Sequence, residues 1–336
     1  MKILAGLVAA LWLTTAPAFA NDTTAQVAAG GLIYVQNENV SMVDEKLYIS
    51  MEKVTVDYIF HNNSDKDVES LIAFPFPDVT GSGDFMDGVP DTESDNFLDF
   101  QATQDAKPVE LQLQQRAFSL GLDVTDELVK AGVPLVPFGN KTGLALNKID
   151  PAVAEDWQKR GMIIGQEIDN GSGMQRDLVP VWTLKSAYYW KTIFPAGKDV
   201  AVSHKYKTGT GSTVAVTFLD DGDPPGERLA DYKKRYCVDD DLLKSLRKAT
   251  DARIAAGGYS AYFENWVGYI LTTGSNWSGP IGHFTLTIDK SDPANLVSFC
   301  GDGVKKIGPT TFQLTKQDYW PEKDLEILFL TAIKDQ

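Results

Sequence analysis

Two cysteines, Cys237 and Cys300, and three histidines, His61, His204 and His283, are all that 336 residues contain of these types. So small a supply excludes a disulfide-dense scaffold and a zinc cluster, and the histidines, 143 and 79 residues apart, match no metal-ligand spacing. No Gly-x-Ser-x-Gly elbow singles out a nucleophilic serine. Gly209-x-Gly211 lies between strand patterns instead of opening a helix, so it reads as a strand connection and not as a dinucleotide loop. Beyond the first twenty residues no apolar run reaches the roughly 20 residues a spanning helix needs. Positive charge is short as well: 31 Lys and Arg face 46 Asp and Glu, for a net charge of -15. A surface of that sign repels phosphate backbones and anionic head groups, which argues against nucleic-acid or membrane-surface binding.

What is present begins with a leader pattern. Met1 to Ala20 has one Lys, an apolar run from Ile3 to Leu13, and Ala18-Phe19-Ala20 before Asn21. That is the layout of a cleaved secretory signal, with a mature chain starting near Asn21, no membrane insertion after cleavage and a net charge of -16 once Lys2 is gone. Export makes one bond between Cys237 and Cys300 the default reading of the two thiols.

The clearest structural signal is the stretch Lys53 to Pro77. Val54, Val56, Tyr58 and Phe60 alternate with polar residues, a polar loop runs from His61 to Asp67, and alternation resumes from Val68 to Phe76. Read alone, this is a hairpin pairing Phe60 with Val68 and Val54 with Phe74. Trp182 to Phe194 and Val200 to Tyr206 read as a second hairpin, with His204 on its apolar face as a satisfied core or partly buried imidazole and not a ligand. Between Met51 and Val54 the apolar parity changes, which suggests a bulge.

These strands and their turn signals predict a mainly β protein, an antiparallel β-sandwich in two lobes, one large sandwich being the alternative. The N-terminal lobe covers 21–219 with a helical insertion at about 122–162, where Asp150, Pro151 and Gly161 supply a start and a stop. The breaker Asp220 to Gly226 divides it from a C-terminal lobe at 220–336, with a second helical insertion at about 227–256. Leu325 to Leu330 is apolar on both faces and so reads as a central strand.

Candidate functional chemistry is sparse. No carboxylate pair or nucleophile can be named as catalytic. Val79 to Asp105 carries Asp84, Asp87, Asp91, Glu93, Asp95 and Asp99, which would suit calcium, yet the spacing fits no EF-hand and a solvated loop accounts for it. Asn276 and Trp277, in the loop Gly274 to Gly282, are the binding candidates: an indole there either stacks on a sugar or partner, or folds back to plug the end of the sandwich.

Taken together, Leu32-Ile33-Tyr34, Asn63-Ser64-Asp65-Lys66-Asp67, Ala73-Phe74-Pro75-Phe76-Pro77, Tyr269-Ile270-Leu271-Thr272-Thr273-Gly274, Asn276-Trp277-Ser278-Gly279-Pro280-Ile281-Gly282 and Ser298-Phe299-Cys300 resemble an exported bacterial family, domain of unknown function 4424. The resemblance covers nearly the whole mature chain and implies a Gram-negative periplasmic location, extracellular being the alternative, with no catalytic residues to carry over. The strand, Asn-containing turn and Phe-Pro-x-Pro pattern is also similar, over about thirty residues, to the vault and inter-alpha-trypsin β-sandwich domain, which binds proteins, although Phe76 stands where that pattern has Leu. The functional expectation is a non-catalytic interaction module for another envelope protein or a glycan. The alternatives are a calcium-dependent binding or adhesion protein and a hydrolase acting on envelope material.

Overall fold

The computed structural model describes residues 21–28, 31–81, 89–169, 173–219 and 226–334. The chain is mainly β, with several antiparallel or mixed sheets and few helices. Two large sheets face each other. In the first, the strands run in the order Leu122–Asp123, Gln112–Ser119, Thr183–Phe194, Val68–Pro75, Thr23–Ala28, Gly31–Val35, with Val79–Thr80 also on Thr183–Phe194. In the second, the order is Lys305–Lys306, Thr311–Tyr319, Ile281–Asp289, Val40–Ser50, Lys53–Asn62, Asp199–Lys207, Gln101–Gln104, Lys107–Pro108.

The alternation in Lys53–Asn62 holds: Val54, Val56, Tyr58 and Phe60 are all buried. The pairing expected of it does not. Lys53–Asn62 pairs with Val40–Ser50 and Asp199–Lys207, whereas Val68–Pro75 pairs with Thr183–Phe194 and Thr23–Ala28 in the other sheet. The 182–206 stretch behaves in the same way, Thr183–Phe194 lying in the first sheet and Asp199–Lys207 in the second. Both predicted hairpins are therefore arches that carry the chain from one sheet to the facing one. The physical reason is that alternation reports which face is apolar and not which neighbour accepts the hydrogen bonds, so two apolar faces can meet across a core as readily as they can share a sheet. Phe60 meets Phe194 at 5.9 Å and Phe74 meets His204 at 4.8 Å across that core. The parity change before Val54 is likewise a turn and not a bulge, because Ile49 pairs directly with Val54.

A third sheet, in the order Gly211–Thr213, Tyr262–Tyr269, Leu325–Ala332, Leu296–Phe299, closes one side. Leu325–Ala332 is central in it, as its doubly apolar sequence predicts: Ile327 and Phe329 join the main core, and Leu328 and Leu330 join a second core under the helices Glu227–Tyr236 and Asp240–Ala255. A third, smaller core around Trp157 and Trp182 holds the helices Thr125–Lys130, Gly139–Leu146 and Pro151–Lys159. Asp150 caps the last of these through Ala152 N, as its position before Pro151 predicts.

Of the breaker at Asp220 to Gly226, residues 220–225 lie outside the described residues. Strands on either side of it share one sheet, Ile281–Asp289 running parallel to Val40–Ser50. Residues from both halves also fill one main core. The boundary expected near residue 220 is therefore not where the sheets or the main core divide. The acid-rich loop is also less exposed than its composition suggests, because Phe97, Leu98 and Phe100 turn inward and are buried. Cys237, at the end of the Glu227–Tyr236 helix, is bonded to Cys300 beyond the Leu296–Phe299 strand.

Candidate functional site

The Gly274 to Gly282 loop folds inward. Trp277 is 3% exposed, lies 4.4 Å from Phe60 and 6.0 Å from Phe194, and its Nε1 donates to the Asp22 carbonyl at 2.7 Å. Asn276 Nδ2 donates to Thr23 Oγ1 at 2.8 Å, and the Asn276 carbonyl accepts from Asn37 N at 2.8 Å. Both candidate binding residues thus hold the first strand of the chain, and the indole takes the plugging role.

Around that strand lies a buried polar cluster. Asn21, Asp22 and Glu45 have no exposed surface, and Tyr58, Tyr269 and His204 are nearly as buried. Tyr58 Oη donates to Asn21 Oδ1 at 2.5 Å and lies 3.2 Å from Tyr269 Oη; Asn21 Nδ2 donates to Glu45 Oε2 at 3.2 Å. Among the described residues both Asp22 carboxylate oxygens, Glu45 Oε1 and both His204 ring nitrogens have no hydrogen-bond partner. His204 Nε2 and Asp22 Oδ1 are 3.5 Å apart, a proximity without hydrogen-bond alignment. Burial alone pushes His204 down to about 3, so its imidazole is neutral, and burial pushes Glu45 up to about 8 and Asp22 well above the usual carboxylate range. The expectation of a satisfied core imidazole fails on this point: the strand parity placed His204 inside, but nothing there bonds it. Glu264 shows the contrasting case, a buried carboxylate that accepts from Thr217 N at 2.5 Å and Tyr232 Oη at 2.8 Å and so ties the 227–236 helix to the third sheet.

The other two histidines stand apart. His61 Nδ1 meets Asp199 at 2.6 Å, and His283 is bonded to Gln317. Among the described residues no group of three or more His, Cys, Asp or Glu is arranged to hold a metal ion; Asp84 and Asp87 of the acidic segment lie outside them. Among the described residues no helix is long and apolar enough to cross a membrane.

An open cleft of about 230 Å³ lies where the third sheet meets the end of the main core. Val54, Phe76, Val79 and Leu98 supply apolar lining, and Trp266, Val267 and Gly268 of the Tyr262–Tyr269 strand line it as well. Gly211 is required there, because a Cβ at that position would sit 2.0 Å from Trp266 Nε1. At Gly268 a Cβ would meet nothing within 4 Å. Among the described residues Asp78 is the lone charged one on the lining, and it is paired with Lys185 at 2.9 Å. The sequence offered a signal here that goes unused when Gly209-x-Gly211 is read as a connection: a glycine inside a strand, such as Gly211, marks a place where another group approaches closely, here the Trp266 indole.

Among curated proteins there is no match. A crystal structure of a nutrient-binding candidate, lpg2210 from Legionella pneumophila, is similar at 17% identity, covering 94% of this chain and 70% of its own, with a TM-score of 0.43. A likeness that low bears neither on the fold nor on the function of this chain. The family model is more decisive, since residues 20–328 match the domain of unknown function DUF4424. That match spans nearly the whole chain, and the protein belongs to the DUF4424 family.

Proposed function

We propose that this protein is an exported, non-catalytic binding module, and that its cleft captures one apolar or aromatic side chain of another envelope protein. The observation that carries the reading is the cleft itself. Its volume of about 230 Å³ exceeds the ~150 Å³ that encloses a benzene ring and falls short of what a whole drug-sized ligand fills. One ring or branched aliphatic group fits. A glycan is the weaker occupant, because sugar recognition needs several convergent polar groups, and among the described lining residues the one carboxylate, Asp78, and the Thr80 and Thr208 hydroxyls are already bonded within the chain. Catalysis has no support in the same place, as the perturbed carboxylates and His204 are buried in the core and not on the lining.

Dye-labelled peptides carrying a central Phe, Leu or Ser, and short cell-wall oligosaccharides, test this by fluorescence anisotropy. The Phe and Leu peptides are expected to bind and the Ser peptide not. Gly268→Phe, whose side chain enters open space, is expected to abolish binding while leaving the melting temperature unchanged. Oligosaccharide binding without peptide binding, or peptide binding untouched by Gly268→Phe, would overturn the reading.

A further inference from the structure

Among the described residues the buried cluster around Asn21 contains two carboxylates and no cation. Glu45 and Asp22 are fully buried; among the described residues three of their four oxygens have no partner, and the fourth, Glu45 Oε2, accepts only from the Asn21 side-chain amide. The groups that face them are Asn21, Thr273, Tyr58, Tyr269 and the neutral ring of His204, with Asp44 and Tyr319 near Glu45. None of these supplies positive charge. The one buried Lys or Arg among the described residues is Lys290, and its Nζ is held elsewhere by the Pro293 and Asn295 carbonyls. Unpaired carboxylates in such a place are among the most costly groups a core can hold.

One atom in the cluster can become a cation. The backbone nitrogen of Asn21 is buried there, donating to Thr273 Oγ1 at 2.6 Å, while Thr273 Oγ1 donates back to the Asn21 carbonyl at 2.8 Å. Gly274 makes the approach feasible, since a Cβ there would lie 2.9 Å from Asn21 Nδ2. Asn21 is also the first residue after the Ala18-Phe19-Ala20 pattern of a signal-peptidase site.

We infer that cleavage between Ala20 and Asn21 creates the missing counter-ion: the new α-ammonium of Asn21 seats in the core against Glu45 and Asp22 and completes the fold. In the hydrolysis, water gives its hydroxyl to the Ala20 carbonyl carbon and a proton to the Asn21 nitrogen as the peptide bond breaks. Ala20 leaves as a carboxylate, and the released amine is protonated at neutral pH. An ammonium has three donors where a peptide N–H has one, so Thr273 can keep its bond and two donors remain for the carboxylates. The elevated proton affinities of Glu45 and Asp22 belong to the chain that continues upstream through an amide; beside an ammonium both carboxyls fall back toward their ordinary range. The device links folding to export. With the leader attached the core holds uncompensated acid, and once the leader is removed it holds an ion pair.

The test has three readouts on the mature chain. Mass spectrometry of protein recovered from the exporting cell is expected to find Asn21 at the N-terminus. Thermal melts at pH 7 then compare chains starting at Asn21 with chains carrying one extra Gly before it, each with Glu45 intact and as Glu45→Gln. The added Gly is expected to lower the midpoint by about 5 °C or more with Glu45 present and by much less in Glu45→Gln. Should Glu45→Gln fail to fold, Asp22→Asn takes its place in the cycle. Finally, an amine-reactive reagent is expected to label the native α-amine at least ~100-fold more slowly than the unfolded one. A mature terminus at another residue, an effect of the extra Gly that is equal in both backgrounds, or rapid native labelling would each overturn the inference.

Discussion

At the scale of single residues, the interior around the first strand decides most of what can be tested. Trp277 combines packing on Phe60 with a hydrogen bond to the Asp22 carbonyl. Trp277→Ala is expected to cost about 3–5 kcal/mol in a urea melt, because it opens a cavity the neighbours cannot fill. Trp277→Phe keeps much of the packing and is expected to lose nearer ~1 kcal/mol, the contribution of the hydrogen bond. His204 gives a pH signature. Its ordinary value of 6.5 falls to about 3 in the fold because burial disfavours the charged ring. Between about 6.5 and 3 the unfolded chain takes up this proton and the folded chain does not, so this residue removes stability as pH falls through that window. Denaturant melts across the window are expected to show His204→Leu losing less stability toward acid than the wild type. The burial of His204 was legible from its parity in the strand. Its lack of partners was not, because the facing Asp22 lies 182 residues away in sequence and at the start of a polar stretch that reads as surface.

At the scale of elements, the arches are the main departure from what local pattern suggests. Two of them stack: Lys53–Asn62 into Val68–Pro75, and Thr183–Phe194 into Asp199–Lys207. Asn62 joins them. Its buried Nδ2 donates to Lys66 O within its own arch and to Phe194 O in the other, both at 2.8 Å, and its Oδ1 accepts from Ser64 N at 2.9 Å. Asn62→Ala is expected to cost about 1–3 kcal/mol by chemical denaturation, since it strands buried backbone groups that water cannot reach. Asp67 adds a second tie by accepting from Ala196 N at 2.9 Å. The turn residues in both loops were visible in the sequence, as were the apolar parities. An arch and a hairpin use the same parities, and what separates them is whether the chain rotates about its own axis in the turn, which here depends on the two loops bracing each other.

Across the whole molecule, the Cys237 to Cys300 bond ties the Glu227–Tyr236 helix to the edge of the third sheet, a separation of 63 residues. Chain-entropy arguments put the effect of closing such a loop at about 4 kcal/mol. Reduction, or the double variant Cys237→Ala with Cys300→Ala, is expected to lower unfolding free energy by up to that amount in a guanidinium melt, with the cleft still formed at low denaturant. Gly211→Ala tests the cleft from the opposite direction. Its methyl cannot coexist with the Trp266 indole where it stands, so the ring must move, and a shift in tryptophan emission together with loss of peptide affinity is the expected result.

The sequence by itself determined the class of the protein: strands from alternating apolar residues, helix ends from capping residues and glycine, and a central strand from apolarity on both faces. These follow from local rules, because a residue's side-chain direction in a strand or helix depends on its immediate neighbours. Only the tertiary structure decided which strands pair, that both halves of the chain share one sheet and one core, that Trp277 plugs and does not project, and that Asn21, Asp22 and Glu45 meet in the interior. Each of those is a contact between segments far apart in the chain, selected by how well whole faces fit and by which buried charges can be neutralised, and no local pattern records that choice.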